Sequence, residues 1–258
     1  MEEELLVDCV DGICTITINR PQRRNALSVA ISNRLSMLWE HLDSDAQVKA
    51  IILTSADCGT FCAGMDLREA AELNTLGSDV LTRLRDPYQR AMRRCQKPII
   101  AAMTGNFIAG GMMLALNADI RIGLAQTVGG ISEAQIGRGA PWGVPLAWML
   151  PQAVLSELIL CGTPMPVEKL FNHGFINSVE PTPDDVRKKA RALAERIKNN
   201  APLSVRAGKR MIQAAMDLGC EAGFAEADRI YKEVYASADA IEGPRAFAEK
   251  RPPKWLGR

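Results

Sequence analysis

Apolar residues along this chain fall into short runs and staggered stripes whose period changes as the chain proceeds. Between residues 5 and 19, LLVDCV and ICTITIN are two β-rich runs separated by Asp11-Gly12, a pair that favours a tight turn, so the reading is an opening hairpin. Ser28 sits where an N-cap belongs, and Ile31, Leu35, Leu38 and Leu42 recur at helical spacing, which predicts a helix running through Leu42. VKAIILT follows with a continuous apolar stretch, the pattern of a strand covered on both faces. A polar helical stretch over about 66–96 leads to the apolar strand PIIAAMTG. A glycine-bearing loop from Gly105 to Gly111 then precedes the helical run MMLALNA. DIRIGLA and VGGIS supply two more strands, after which the pattern is helical over 144–150, 152–160, 166–172, 183–198, 202–219 and 223–238. Strands alternating with helices early, and helices alone late, predict an α/β core over 1–200 and a C-terminal helical subdomain over 201–258.

Charge narrows the function classes. The 258 residues carry 31 Lys+Arg against 30 Asp+Glu, a formal net charge of +1, so no global field draws the protein to nucleic acid or an anionic membrane. The acidic N-terminus resembles neither a signal nor a transit peptide, and no apolar run approaches the ~20 residues of a membrane span. The seven cysteines are scattered and mostly embedded in apolar runs, which reads as reduced core residues in a cytoplasmic protein. No metal-ligand cluster, Walker loop or dinucleotide fingerprint is present, and His41 and His173, the only histidines, have no nucleophile motif to serve.

Two loops carry candidate chemistry: FCAGMDL (61–67) after VKAIILT, and GNFIAGGMML (105–114) after PIIAAMTG. Each stands between an apolar strand and a predicted helix. First-turn N–H groups lack intrahelical partners and lie at the positive end of the helix dipole, so such loops suit an anion or a developing oxyanion. Either loop alone fits a plain strand-to-helix turn equally well.

Together with their flanks the two loops resemble the crotonase (enoyl-CoA hydratase/isomerase) superfamily along the whole chain. The resemblance runs through NRPQRRNALS, FCAGMDL, KPIIAAMTGNFIAGGMMLALNADIRI, ISEAQIG and EGPRAFAEKRPPKW. It implies a crotonase-like ββα superhelix core, a C-terminal subdomain that trimerises and covers CoA, and an acyl-CoA thioester substrate. It implies no cofactor beyond the coenzyme A of the substrate, and a homotrimer or dimer of trimers. By the same resemblance the backbone N–H groups of Met65 and Gly110 hold the thioester oxygen, Glu133 is the acid/base group, and Arg24, Ala26, Ala63 and Met65 meet CoA. Phe247 and Lys250 match a C-terminal contact to CoA that sometimes belongs to a neighbouring subunit. Between Cys95 and Gln152 the chain has only two acidic residues, Asp119 and Glu133, and burial beside an acyl group should raise the Glu133 pKa.

Departures from the family pattern matter as much. Hydratases that use two glutamates carry the second where this chain has Met113, and a thioether neither orients nor deprotonates water. One glutamate suits a 1,3-proton shuttle, as in enoyl-CoA isomerases, or another single-glutamate lyase or hydrolase reaction. Arg138, Pro141 and Trp142 stand where the family has a glycine-rich stretch and should reshape the acyl pocket. The segment 134–156 has no acid, which argues against the family's covalent dehalogenases. Two other classes stay in view: a non-catalytic acyl-CoA binder, and an RNA-binding helix at RKKARALAERIKNN (187–200), whose amphipathic spacing fits a solvated helix face better.

Overall fold

A computed structural model describes residues 3–258. The opening hairpin pairs β1 (Leu5–Val10) antiparallel with β2 (Ile13–Ile18). Asp11 and Gly12 both have positive φ, 49° and 77°, the conformation a two-residue type I′ turn requires. From β2 onward the main sheet is parallel, through β3 (Ala50–Ser55), β5 (Ile99–Ala102), β7 (Ile120–Leu124) and β10 (Ser178–Glu180). Its strands alternate between two cores. Ile51 and Leu53 of β3, with Ile99 and Ala101 of β5, face the larger core that also holds Trp39, Phe61 and Phe107. Ala50, Ile52, Ile100 and Ala102 face a second core against Val186, Ala190 and Ala194 of α7 (Pro183–Lys198). Burial on both faces explains why these strands read as unbroken apolar runs.

A second sheet of four short strands lies beside the first: β4 (Thr60–Cys62), β6 (Asn106–Ile108), β8 (Val128–Gly130) and β9 (Met165–Pro166). The chain leaves β3, β5 and β7 and enters β4, β6 and β8 in turn, with α2 (Leu67–Thr75) after β4 and α4 (Gly110–Asn117) after β6. This strand–strand–helix repeat corrects the simpler strand–loop–helix reading. Part of each glycine loop is a three-residue strand, too short for its periodicity to show in sequence.

Helix α1 (Val29–Ser44) starts at Ser28, whose hydroxyl accepts from the Ile31 N–H at 3.2 Å, and it runs two residues past Leu42. The stretch 66–96 is not one helix but α2, a 3₁₀ turn at Val80–Arg83 and α3 (Arg90–Arg94). Gly77, with φ of 74°, and Pro87 break its continuity. Later come α5 (Gln152–Leu160), α6 (Val167–Asn172), α8 (Pro202–Leu218), α9 (Cys220–Tyr235) and α10 (Ala238–Ala248), the last not anticipated. Helices α8 and α9 share a small core of Ala207, Ile230 and Val234. Buried Lys209 of α8 ties them to the sheet, donating to Asp119 at 2.7 Å and to the Lys97 carbonyl at 2.9 Å. The basic stretch 187–200 lies within α7 and its end, with Arg187 paired to Asp57 and Asp184, and Lys198 to Asp11 and Glu195. Among the described residues no helix is long and apolar enough to cross a membrane.

The cysteine reading needs correction. Cys9 and Cys14 are disulfide-bonded, because the hairpin register places them directly opposite with Cα atoms 4.0 Å apart. Cys58, Cys161 and Cys220 are exposed, and only Cys62 and Cys95 are free thiols inside the fold.

Asn25 locks the loop between β2 and α1. It is fully buried in a left-handed conformation (φ 53°), its amide donates to the carbonyls of Ala56 and Thr60 at 2.9 and 2.7 Å, and its oxygen accepts from the Arg20 N–H at 3.0 Å. Asn25→Ala orphans those buried groups, at about 1–3 kcal/mol for each group left unpaired, and puts a less tolerant residue in the left-handed region. Urea denaturation should show a loss of about 3 kcal/mol or more, and a loss under about 0.5 kcal/mol would show that this network does not hold the loop.

Candidate active site

The loop after β4 is held by parallel pairing with the segment entering α1. The Leu27 N–H donates to the Gly64 carbonyl at 2.7 Å, and the Asp66 N–H donates to the Leu27 carbonyl at 3.0 Å. This pairing uses the groups on either side of Met65 and turns its own N–H away from Leu27. Asp66 caps α2 through the N–H groups of Arg68 and Glu69, and accepts from Arg20 Nη1 at 2.6 Å. Burial pushes the Asp66 carboxyl up, but Arg20 and the two amides outweigh that, leaving it below the usual carboxylate range.

The second loop is anchored by the Ala109 N–H, which donates to the Gly130 carbonyl at 2.8 Å, and Ala109 itself has positive φ, 51°. Gly110 then opens α4, so its N–H belongs to the unpaired first turn. The two loops touch backbone to backbone. A Cβ on Gly64 would come within 3.0 Å of the Gly110 nitrogen, and one on Gly111 within 2.2 Å of the Cys62 carbonyl oxygen. Among the described residues neither the Met65 nor the Gly110 N–H has a hydrogen-bond acceptor.

Both residues line a cleft of about 160 Å³, well beyond a packing void. Glu133 joins them from the first position of a 3₁₀ turn, Glu133–Ile136, that follows β8. Among the described residues it is the only carboxylate on the cleft wall, and its Oε2 is buried without a hydrogen-bond partner. Burial raises the Glu133 pKa, opposed less strongly by its own N–H, the Trp142 indole and the Ser132 N–H. Met113, buried on α4, and Trp142 line the same cleft, as does Ala63. Its remaining wall is mainly apolar, with Val80, Leu81, Leu84 and Tyr88 from the broken stretch after α2 and Ile136 opposite.

Other expected binding residues lie elsewhere. Arg24 is exposed and meets the site only through its carbonyl, which accepts from the Ala63 N–H at 3.2 Å. Ala26 is buried beneath the loop, its N–H donating to Arg23. Phe247 is 88% exposed on α10, and neither it nor exposed Lys250 lines the cleft of its own chain. Sequence reasoning passed over Asn25 and Asp66, which hold the loops. Asn25 sits in the RRNAL run and Asp66 just before a helix, where an Asp is a cap signal.

A raised carboxyl pKa means that the folded state holds its proton more tightly than the unfolded state. That contribution is complete below the ordinary glutamate range and is lost as pH rises through the folded-state pKa. Glu133→Gln, which cannot ionise, should therefore gain stability relative to wild type as pH rises from about 4 to 8. Urea titrations of both proteins across that range measure the difference, and a flat difference would contradict burial as the cause.

Comparison with known proteins places the geometry in context. A family model described as enoyl-CoA hydratase/isomerase matches residues 8–258. The carnitinyl-CoA dehydratase of Proteus mirabilis is 33% identical over 271 aligned residues that cover 100% of both chains. Enoyl-CoA hydratase EchA19 of Mycobacterium tuberculosis is 36% identical, covering 94% of this chain and 92% of its own. Among solved structures, an enoyl-CoA hydratase from Mycobacterium tuberculosis H37Rv superposes with a TM-score of 0.87 at 38% identity, covering 100% of each chain.

Proposed function

The chain belongs to the enoyl-CoA hydratase/isomerase family and is an enzyme acting on acyl-CoA, and on that premise we propose that it forms a thioester enolate in this cleft, with Glu133 as its one acid/base group. The observation that carries the reading is the conjunction of one buried, unpartnered carboxylate oxygen with two unpaired backbone N–H groups on one apolar wall. Met65 and Gly110 donate to the thioester oxygen. Glu133 takes a proton from the α-carbon, and the electrons of the broken C–H bond move onto that oxygen as negative charge. Donors fixed before the charge appears lower the barrier, each contributing on the order of 3–4 kcal/mol. The same carboxyl then returns the proton, at the γ-carbon in a double-bond shift or to a departing β-hydroxyl in an elimination. Its raised pKa suits both directions near neutral pH.

Met113 favours the proton shuttle over hydration by paired carboxylates, since it occupies the cleft wall with no polar group to hold water. The proposed chemistry calls on no metal or prosthetic group. Phe247 and Lys250 we assign to the CoA of a neighbouring copy, in a homotrimer or dimer of trimers. Exposed Phe224, Tyr235, Ile241 and Phe247 on α9 and α10 support such an assembly.

Glu133→Gln preserves shape and removes the base. α-Proton exchange of accepted acyl-CoA thioesters in heavy water, followed by mass spectrometry, should slow by about 10²–10⁴-fold while binding persists. Exchange at the wild-type rate would remove Glu133 from the mechanism. Met113→Glu sets a second carboxylate beside the first and should raise hydration of a short enoyl-CoA relative to exchange. Two like charges in a dry site raise one pKa, so the gain should grow toward high pH. A wild type that already hydrates as fast as two-glutamate relatives would show that Met113 withholds nothing.

A further inference from the structure

One cation stands on the cleft wall. Arg138 lines it beside Leu81, Leu84, Ile136 and Trp142, and with Tyr88 and Glu133 it completes the ionisable groups there. Its backbone N–H donates to the Glu133 carbonyl at 2.9 Å, so its Cα is fixed one turn beyond the acid/base residue. Its guanidinium, by contrast, makes no hydrogen bond among the described residues. The nearest carboxylate, Asp79, stands off at 3.8 Å and spends its other oxygen capping the Leu81 N–H at 3.0 Å. Gly137, with φ of 66° and open space where a Cβ would be, and Gly139 flank the arginine and leave its loop free of side-chain obstruction. An exposed arginine at the edge of an apolar wall, held only by a loose ion pair to Asp79, keeps its fork available for a planar, bidentate anion.

Resting on the enolate reading above, we propose that Arg138 is a specificity-determining residue and that the substrate is an acyl-CoA whose acyl chain ends in a carboxylate. The guanidinium takes both oxygens of that carboxylate in a fork, anchoring the far end of the acyl chain while Met65 and Gly110 hold the thioester end. The spacing from Glu133 along one short turn favours a chain of few carbons. A cationic acyl terminus is disfavoured, since it would face Arg138 across an apolar space. The other anions of the substrate, the phosphates of CoA, are the rival recipients of the same chemistry.

The test compares three short enoyl thioesters of matched length, with a terminal carboxylate, a terminal methyl and a terminal trimethylammonium, each as the CoA and as the phosphate-free pantetheine thioester. Heavy-water α-proton exchange and kcat/KM are read for wild type, Arg138→Leu and Arg138→Lys. Wild type should favour the carboxylate-terminated over the methyl-terminated thioester of either carrier, and Arg138→Leu should reduce that ratio by about 10- to 100-fold. Arg138→Lys should retain part of the ratio, because it keeps the charge and loses the fork. An unchanged ratio in Arg138→Leu, or a wild-type preference for the methyl or cationic chain, overturns the proposal. So does a loss shared by all three CoA thioesters that vanishes with the pantetheine series, which assigns Arg138 to the CoA phosphates. If no thioester exchanges its α-protons, the enolate reading fails and this proposal falls with it. Exchange of the methyl substrate without a carboxylate preference sinks the proposal alone.

Discussion

The site depends on two loops approaching each other without side chains between them. Gly64 lies against Gly110, and Gly111 lies against the Cys62 carbonyl, at separations that a single Cβ would close to between 2.2 and 3.1 Å. A methyl group at Gly111 meets the Cys62 carbonyl first, with only the fixed Cβ of Cys62 beside it, so it would part the loops rather than displace a flexible side chain. Gly64 carries a second constraint in its φ of 92°, which L side chains rarely adopt. The strand pairing of β4 with β6, and of β6 with β8, sets the loops at this distance in the first place. Two amides from segments more than forty residues apart thereby share one wall, at the end of a parallel layer where unpaired N–H groups collect.

Holding such loops still requires buried polar groups that are fully engaged. Arg20 is shared between Asp66 at 2.6 Å and Glu4 at 2.8 Å, and Asn25 satisfies carbonyls at both ends of the connection from β3 to β4. These groups face away from the cleft, so their hydrogen bonds are complete without a ligand. Three groups facing the cleft are left incomplete: the Met65 and Gly110 N–H groups and Oε2 of Glu133. Buried polar groups are ordinarily paired, and although Gln96 Oε1 and Ser178 Oγ are also unpartnered, only at the cleft do a carboxylate oxygen and two backbone N–H groups stand unpaired on one wall.

Much of this was legible in the sequence because each signal was local. Asp11-Gly12 announced the hairpin, Ser28 the cap of α1, and the apolar runs the central strands. The strand–glycine–helix order located both loops, and the shortage of acids between Cys95 and Gln152 singled out Glu133. What stayed hidden was set by geometry beyond the local pattern. The three-residue strands of the second sheet take their identity from their neighbours, not from periodicity. Phe247 and Lys250 match their motif, yet the chain carries them away from its own cleft. The Cys9–Cys14 bond differs, because it was within reach. A two-residue turn at Asp11-Gly12 forces residue 9 opposite residue 14, and treating the cysteines as scattered overlooked that register.

The apolar character of the cleft also decides how its few polar groups act. The carboxylate among Trp142, Met113 and Ile136 shares its wall with one cation, Arg138, yet burial is the leading influence on its pKa. Desolvation makes it a stronger base once ionised and moves its pKa toward the working pH, which is what the proposed shuttle needs of a group that both takes and returns a proton. A second carboxylate at position 113 would share that dry space and compete for ionisation, whereas a thioether fills the volume without electrostatic demand. With Met113 at that position the wall lacks a second group able to position water, and Glu133 is the only carboxylate there among the described residues. That lack matters most where water is an unwanted reactant, as it is when a proton must move between carbons of one substrate before the enolate meets solvent.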